Sequence, residues 1–333
     1  MVISISNLED KTKIEKILEV RNLSVHFETI DKRIDVLKNI NLYVKKGEIV
    51  GIVGESGSGK STLAQAIVGV LDSPPAFIES GEIIFDNEKI IPYNKQFNFR
   101  GKGINMVFQE PLISLDPVYK ISKQIEEAMD VAGIEKNKDL RKRMMKETLN
   151  ELMIRDIDRV LDSYPHQLSG GMRQRVAIAI SIIQRPKLTI LDEPTTGLDL
   201  IVQRQIMKLL LKLRDTINTS MILITHDLTV AANTCERVYV MYTGRIFESG
   251  HKVDLINNPL HPYTAMLKNS IPTGYSDSGP LNVTEGSPPD ISRLPPGCTF
   301  HPRCPRSLSI CSKEIPKMKS FNNEREVACW LYE

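Results

Sequence analysis

No run of apolar side chains in this 333-residue chain approaches the roughly eighteen residues that a membrane-spanning helix requires. The first ten residues, Met1 to Asp10, carry acidic groups and no apolar segment, so they do not read as a secretory leader. Surplus charge is missing too. The 43 lysines and arginines against 41 aspartates and glutamates leave +2, which makes no case for nucleic acid or an anionic membrane surface as a partner. Cysteine is scarce: of five, four lie after residue 297. These absences predict a cytosolic chain that takes any membrane role from a partner, and a reducing cytosol disfavours disulfides in the tail. What remains, 41% hydrophobic and 25% charged residues, is ordinary for a globular protein of one large domain or two.

Against that plain background one stretch stands out, Gly54-Glu55-Ser56-Gly57-Ser58-Gly59-Lys60-Ser61-Thr62. A strand-like run (Glu48 to Val53) precedes it and a helix-like run (Leu63 to Val68) follows. That is the context a G-x-x-x-x-G-K-[ST] loop needs to cradle a polyphosphate. Glycines let backbone N–H groups curl around phosphate oxygens, and the helix N-terminus adds partial positive charge. Lys60 is placed to reach the β- and γ-phosphates, and the Ser61 hydroxyl to ligate Mg²⁺.

Other segments end in polar groups where a ligand of such a loop would lie. Ile104 to Val107 is strand-like and runs into Gln109, a candidate γ-phosphate sensor or Mg²⁺ and water ligand, or simply a strand cap. Leu188 to Asp192 is a buried strand ending in Asp192 and Glu193. Carboxylates there are costly unless they meet a cation or do chemistry, so Asp192 is expected to hold Mg²⁺ and Glu193 to polarise the attacking water. Met221 to Thr225 ends at His226, either a structural histidine, as is usual at a strand end, or a ligand contact at a third strand terminus of the kind around which ligands of open α/β sheets bind. Ser169-Gly170-Gly171 opens a helix. Ser169 serves as an N-cap, whereas two glycines weaken a first turn unless something must approach the backbone closely, which makes a second anion site. Upstream, residues Ile17 to Val44 alternate as short antiparallel strands carrying Phe27, which either packs in a strand or stacks on a nucleobase. Tyr119 to about Leu161 is helical in pattern, a solvated face or a docking surface.

Taken together and in order, these motifs resemble the ATP-binding-cassette ATPases over residues 15–265. The resemblance implies an α/β P-loop NTPase (RecA-like) core with an antiparallel β subdomain and an α-helical subdomain at about 112–167. It casts Gly54–Ser61 as the Walker A loop, Gln109 as the Q-loop glutamine, and Ser169-Gly170-Gly171 as the signature. Asp192 falls in Walker B, Glu193 in the catalytic-glutamate position, Asp199 in the D-loop, and His226 in the switch-histidine position. Phe27 matches the adenine-stacking aromatic. It further implies a head-to-tail dimer with a second, identical or related ATPase subunit, each phosphate loop facing the other's signature. A DNA-repair ATPase of the same superfamily would want a basic face, and a translation ATPase two cassettes.

At the end of this span the segment Asn258 to Thr264 resembles the extension of peptide-importer ATPases (oligopeptide, dipeptide and nickel). That implies ATP-driven peptide import at the cytoplasmic face of the membrane, with two membrane-spanning permease subunits and, indirectly, an extracytoplasmic peptide-binding protein. A Pro/Gly/Ser linker spans 271–297, and Cys298, Cys304, Cys311 and Cys329 follow within 298–333. So short a segment has little core of its own, and four thiolates could staple it through a [4Fe–4S] cluster or zinc; spacing leaves the choice open. The resemblance favours the cluster. His301 is an alternative ligand, and Cys235 is expected in the core.

Overall fold

Three short segments rich in branched apolar residues, Ile49–Val53 (β3), Leu188–Asp192 (β7) and Ser220–Thr225 (β8), are buried along their whole length. Strands covered on both faces read as continuous apolar runs and pair in parallel, and these do. The computed structural model describes residues 15–91, 103–109, 114–269, 286–322 and 324–333. Glu110 and Pro111 and most of the linker lie outside them.

The larger sheet has eight strands in the order β11-β12-β10-β9-β3-β8-β7-β6. Ile104–Val107 (β6), β7, β8, β3 and Arg237–Tyr242 (β9) run parallel. Arg245–His251 (β10) returns antiparallel to β9 as the second arm of a hairpin. Side chains alternate between its faces, as the pleat requires. Val50, Ile52, Ile190, Ile222 and Ile224 face one core, whereas Ile49, Val53, Leu191, Met221 and Leu223 face the other.

The first core lies between this sheet and a four-stranded antiparallel one, ordered β2-β1-β4-β5. Its strands are Lys16–Glu28 (β1), Arg33–Lys45 (β2), Ala76–Phe85 (β4) and Glu88–Ile91 (β5). The short strands expected here are instead two of 13 residues each. Register shifts between Val20 and Leu23 and again to Val25 break the alternation, and Asn22 (φ 50°) and Asn39 (φ 55°) sit in the left-handed region beside them. Bulges therefore look like strand ends in the sequence.

Lys60–Val68 (α1) packs within this first core through Leu63, Ala66 and Ile67. The remaining helices cover the other face: Ile121–Ala132 (α2), Lys138–Glu151 (α3), Ile157–Asp162 (α4) and Gly170–Ile182 (α5), then Leu200–Ile217 (α6), Leu228–Thr234 (α7), Lys252–Asn257 (α8) and Pro262–Asn269 (α9). α2, α3 and α4 form the helical region and pack through Ile125, Met129, Met145, Leu149 and Val160. The tail adds Lys319–Asn322 (β11) and Arg325–Val327 (β12). β12 pairs with β10, Glu248 opposite Val327. Phe300 and Val327 are fully buried, and Cys298, Phe300 and Cys311 belong to the main core, so the tail borrows the core it lacks. Cys235 is buried, as expected.

Candidate functional site

The ends of β3, β6, β7 and β8 lie side by side, and the loops leaving them meet in one cleft of about 800 Å³. Glu55, Ser56, Gly57, Gly59, Lys60, Ser61, Thr62, Gln109, Glu193 and His226 all line it. Gly54 opens the loop, packed so closely that a Cβ would meet the Met241 carbonyl oxygen at 2.1 Å. Gly59 (φ 96°) caps α1 with no side chain, leaving the first N–H groups of the helix open to an anion. Ser58 is buried beneath.

Lys60 is nearly enclosed. Its ammonium donates to the Gly54 and Glu55 carbonyls, each at 2.8 Å, and lies 3.4 Å from Ser58 Oγ. Burial lowers its pKa, and the carboxylates of Glu193, Asp192 and Glu55 oppose that shift. It is a cation already surrounded by acceptors at the depth of the cleft.

Asp192 is 3% exposed, and burial raises its pKa against a hydrogen bond from Ser61. Its Oδ1 is buried with no hydrogen-bond partner. An orphaned carboxylate oxygen beside a hydroxyl at the mouth of a phosphate loop has the donor set of a Mg²⁺ site that takes its remaining oxygens from phosphates and water. Glu193 holds a left-handed backbone (φ 44°), a strained conformation for a non-glycine residue. Its N–H donates to the Ile224 carbonyl at 3.0 Å, and its Oε2 accepts from Thr196 Oγ1 at 2.9 Å. His226 Nδ1 stands 3.2 Å from the same oxygen.

Three predicted site elements lie elsewhere in the chain. Ser169 caps α5, accepting from Met172 N at 3.4 Å, and with Gly171 lines a separate cavity of about 340 Å³. Gly170 and Gly171 press against Leu198 and Val202, where added Cβ atoms would fall 3.7 and 3.2 Å away. Asp199 caps α6 through Ile201 N and Val202 N, both 3.0 Å. Phe27 is half-buried against the sheet core, opposite Ile34 and Ala76, and is not among the cleft residues.

The four tail cysteines gather in one region. Cys298 interacts electrostatically with each of the other three. Backbone N–H groups two residues on, from Phe300, Arg306 and Leu331, hydrogen-bond Cys298, Cys304 and Cys329, and Leu308 N lies 3.4 Å from Cys311 Sγ. Burial raises the pKa of Cys298, Cys304 and Cys329. Among the described residues, however, no three His, Cys, Asp or Glu side chains are close enough to hold a metal ion, so the expected ligand set is not assembled here. The donor types suit a metal; their spacing does not. His301 Nδ1 is 2.9 Å from the Cys298 carbonyl and is occupied there.

Sequence reasoning missed four cleft residues, Val36, Met266, Leu267 and Ile291, and the Glu55 partners Tyr263 and Arg303. None carries a local signal; each reaches the cleft through tertiary packing.

Residues 37–196 match the family model described as ABC transporter, and residues 247–311 match the one described as oligopeptide/dipeptide transporter, C-terminal region. The oligopeptide transport ATP-binding protein AppD of Bacillus subtilis is 41% identical over 95% of this chain and 97% of its own length. OppD of Escherichia coli, another oligopeptide transport ATP-binding protein, is 40% identical over 95% of this chain and 93% of its own. Among solved structures, a dimeric ATP-binding cassette in a post-hydrolysis state with ADP and phosphate superposes with a TM-score of 0.63 at 29% identity, covering 71% of this chain and 98% of that one.

Proposed function

This chain belongs to the ABC transporter ATP-binding proteins, in the branch with the oligopeptide/dipeptide C-terminal region, and from that premise we propose that it hydrolyses ATP to power peptide import. The observation that carries the reading is the convergence of Lys60, Gln109, Glu193 and His226 on one cleft at the carboxyl ends of parallel strands.

Gly54 to Thr62 bind the triphosphate through backbone N–H groups. Lys60 exchanges the Gly54 and Glu55 carbonyls for β- and γ-phosphate oxygens, a swap of neutral for charged acceptors. Ser61 and Asp192, with Gln109, would hold Mg²⁺, which when bound would neutralise charge developing on the phosphates. Glu193 accepts a proton from the attacking water, and His226, sharing the Glu193 oxygen, holds that carboxylate and the γ-phosphate in register. Ser169, Gly170, Gly171 and Asp199 act on a partner's nucleotide, since within the chain none of them lines the phosphate cleft, and Ser169 and Gly171 line a different cavity. That arrangement calls for a second ATPase subunit placed head to tail.

No helix among the described residues is long and apolar enough to cross a membrane. Work on a peptide therefore passes to two permease subunits from the cytoplasmic face, with an extracytoplasmic binding protein delivering the peptide. Exposed Phe108, Val118 and Tyr119 beside Gln109 and the helical region supply the contact. The nucleotide domain is 15–265 and the extension 266–333. Cys298, Cys304, Cys311 and Cys329 would hold a [4Fe–4S] cluster, with zinc as the alternative, although their side chains are not drawn together as a ligand set among the described residues. The backbone N–H···S bonds support this, as they stabilise thiolates and orient them.

Phosphate release by the full chain with MgATP, compared with Glu193→Gln, tests the reading. Hydrolysis abolished with binding retained, and an ATP-dependent dimer by light scattering, is expected. Full turnover in the variant would remove Glu193 from its role.

A further inference from the structure

A phosphate loop binds its ligand with backbone N–H groups and one lysine, so an acidic side chain within it has the wrong sign. Glu55, second residue of the loop, lines the cleft, and its charge is felt by Lys60. Left free, that carboxylate would repel the polyphosphate beside it.

Its neutralisation comes from far along the chain. Arg303 Nη1 donates to Glu55 Oε2 at 2.8 Å and Nη2 to Oε1 at 3.0 Å, a two-pronged pair with the guanidinium only 8% exposed. Arg303 Nη1 also donates to the Tyr242 hydroxyl at 3.2 Å. The Glu55 backbone N–H donates to the Tyr263 hydroxyl at 2.8 Å. Side chain and peptide are thus gripped separately, by residues 248 and 208 positions downstream.

Both grips are rigid. Tyr263 is fully buried, 4.6 Å from Tyr242 and 5.3 Å from Phe300, ring centre to ring centre. Phe300, also fully buried, lies three residues before Arg303 in the tail. A planar guanidinium fork between fixed aromatic walls sets direction as well as charge, which a lysine would not.

We infer that Arg303 and Tyr263 are positioning residues of the ATP site: Tyr263 fixes the Glu55 peptide, and Arg303 holds the Glu55 carboxylate off the phosphate path. The cysteine-bearing tail is then a working part of the nucleotide site, because Cys304 directly follows Arg303. The inference rests on the nucleotide reading above and names further residues for the same site.

The test measures MgATP affinity and steady-state hydrolysis of the full chain. Arg303→Ala should weaken MgATP binding by about tenfold and raise KM in step, as an exposed like charge does at a few ångströms, with kcat little altered. Arg303→Lys should recover part of the loss. Adding Glu55→Gln to Arg303→Ala should recover most of it, because the offending charge is gone. If Arg303→Ala lowers the melting temperature, the same comparison with Arg303→Gln in its place decides the matter. Unchanged affinity in Arg303→Ala, or no recovery on adding Glu55→Gln, would reduce Arg303 to a docking contact for the tail and overturn the inference. A wild-type chain that binds MgATP no better than Lys60→Ala would overturn the nucleotide reading itself.

Discussion

His226 Nδ1 lies 3.2 Å from Glu193 Oε2, so two residues 33 positions apart share one oxygen at the mouth of the phosphate cleft. The contact is made in the single chain, before any partner arrives. Glu193 is oriented from two sides, by His226 and by Thr196, on a strained backbone that only the surrounding sheet can hold.

His226→Ala should therefore lower kcat by about a hundredfold, the ordinary worth of a positioned acid–base partner, while MgATP affinity changes little. Single-turnover hydrolysis and equilibrium binding on the same preparation check this. An equal loss of affinity would show that His226 only grips the nucleotide.

The tail cysteines make a compositional prediction. Protein purified anaerobically should be brown and contain iron and acid-labile sulfide in near-equal amounts, and Cys311→Ser should lose both. Colourless protein with one zinc per chain by elemental analysis would select the zinc alternative. Metal-free protein would remove both.

Arg237 and Glu48 form a buried two-pronged pair, 2.6 and 3.0 Å, that ties β9 to the start of β3, at the end of the strand away from the phosphate loop. Arg237 also lies 3.9 Å from the Tyr43 ring centre. Arg237→Ala leaves Glu48 buried and unpaired and should cost about 3–5 kcal/mol by urea unfolding. Pairing it with Glu48→Gln should cost less than the single change, because no charge is then stranded.

His261 supplies the pH dependence. Burial pushes its pKa down to about 3, and its Nδ1 accepts from Tyr263 N at 3.0 Å, a bond that a protonated ring cannot make. The unfolded ring titrates near 6.5, so a folded value below that leaves stability intact above about pH 6.5 and drains it as pH falls toward 3. The loss at pH 5 should be about 2 kcal/mol relative to pH 7. The Glu248 carboxylate, which accepts the backbone N–H groups of Leu260 and His261, and Arg325 beside it are the charged groups nearest this turn. His261→Asn keeps an acceptor without a titrating ring and should flatten the curve measured by thermal melts across that range.

The phosphate loop and the strands β3, β7 and β8 were legible because their determinants are local. Glycines at fixed spacing and buried runs ending in Asp192, Glu193 or His226 carry the signal within a few residues. Asp192 behaved as a buried strand-end carboxylate must, sharing a hydrogen bond with Ser61 and keeping one oxygen unpartnered. The bulges at Asn22 and Asn39 were not legible, since a register shift looks like a strand end. Nor was the Arg303–Glu55 pair, whose partners are 248 residues apart with nothing in either neighbourhood announcing the other. Phe27 shows the remaining limit: its residue type suits strand packing and nucleobase stacking alike, and its half-buried place against the sheet core is set by tertiary packing.

The pairing of β12 on β10 has a practical consequence. Val327 and Glu326 satisfy the outer row of β10 backbone groups, and Leu260, Val327 and Cys329 seal the apolar ground beside them. A chain trimmed near residue 265 to isolate the nucleotide domain would expose that row as a bare edge strand next to uncovered hydrophobic surface. Such edges recruit other chains, so the shortened protein is a template for aggregation rather than a minimal ATPase.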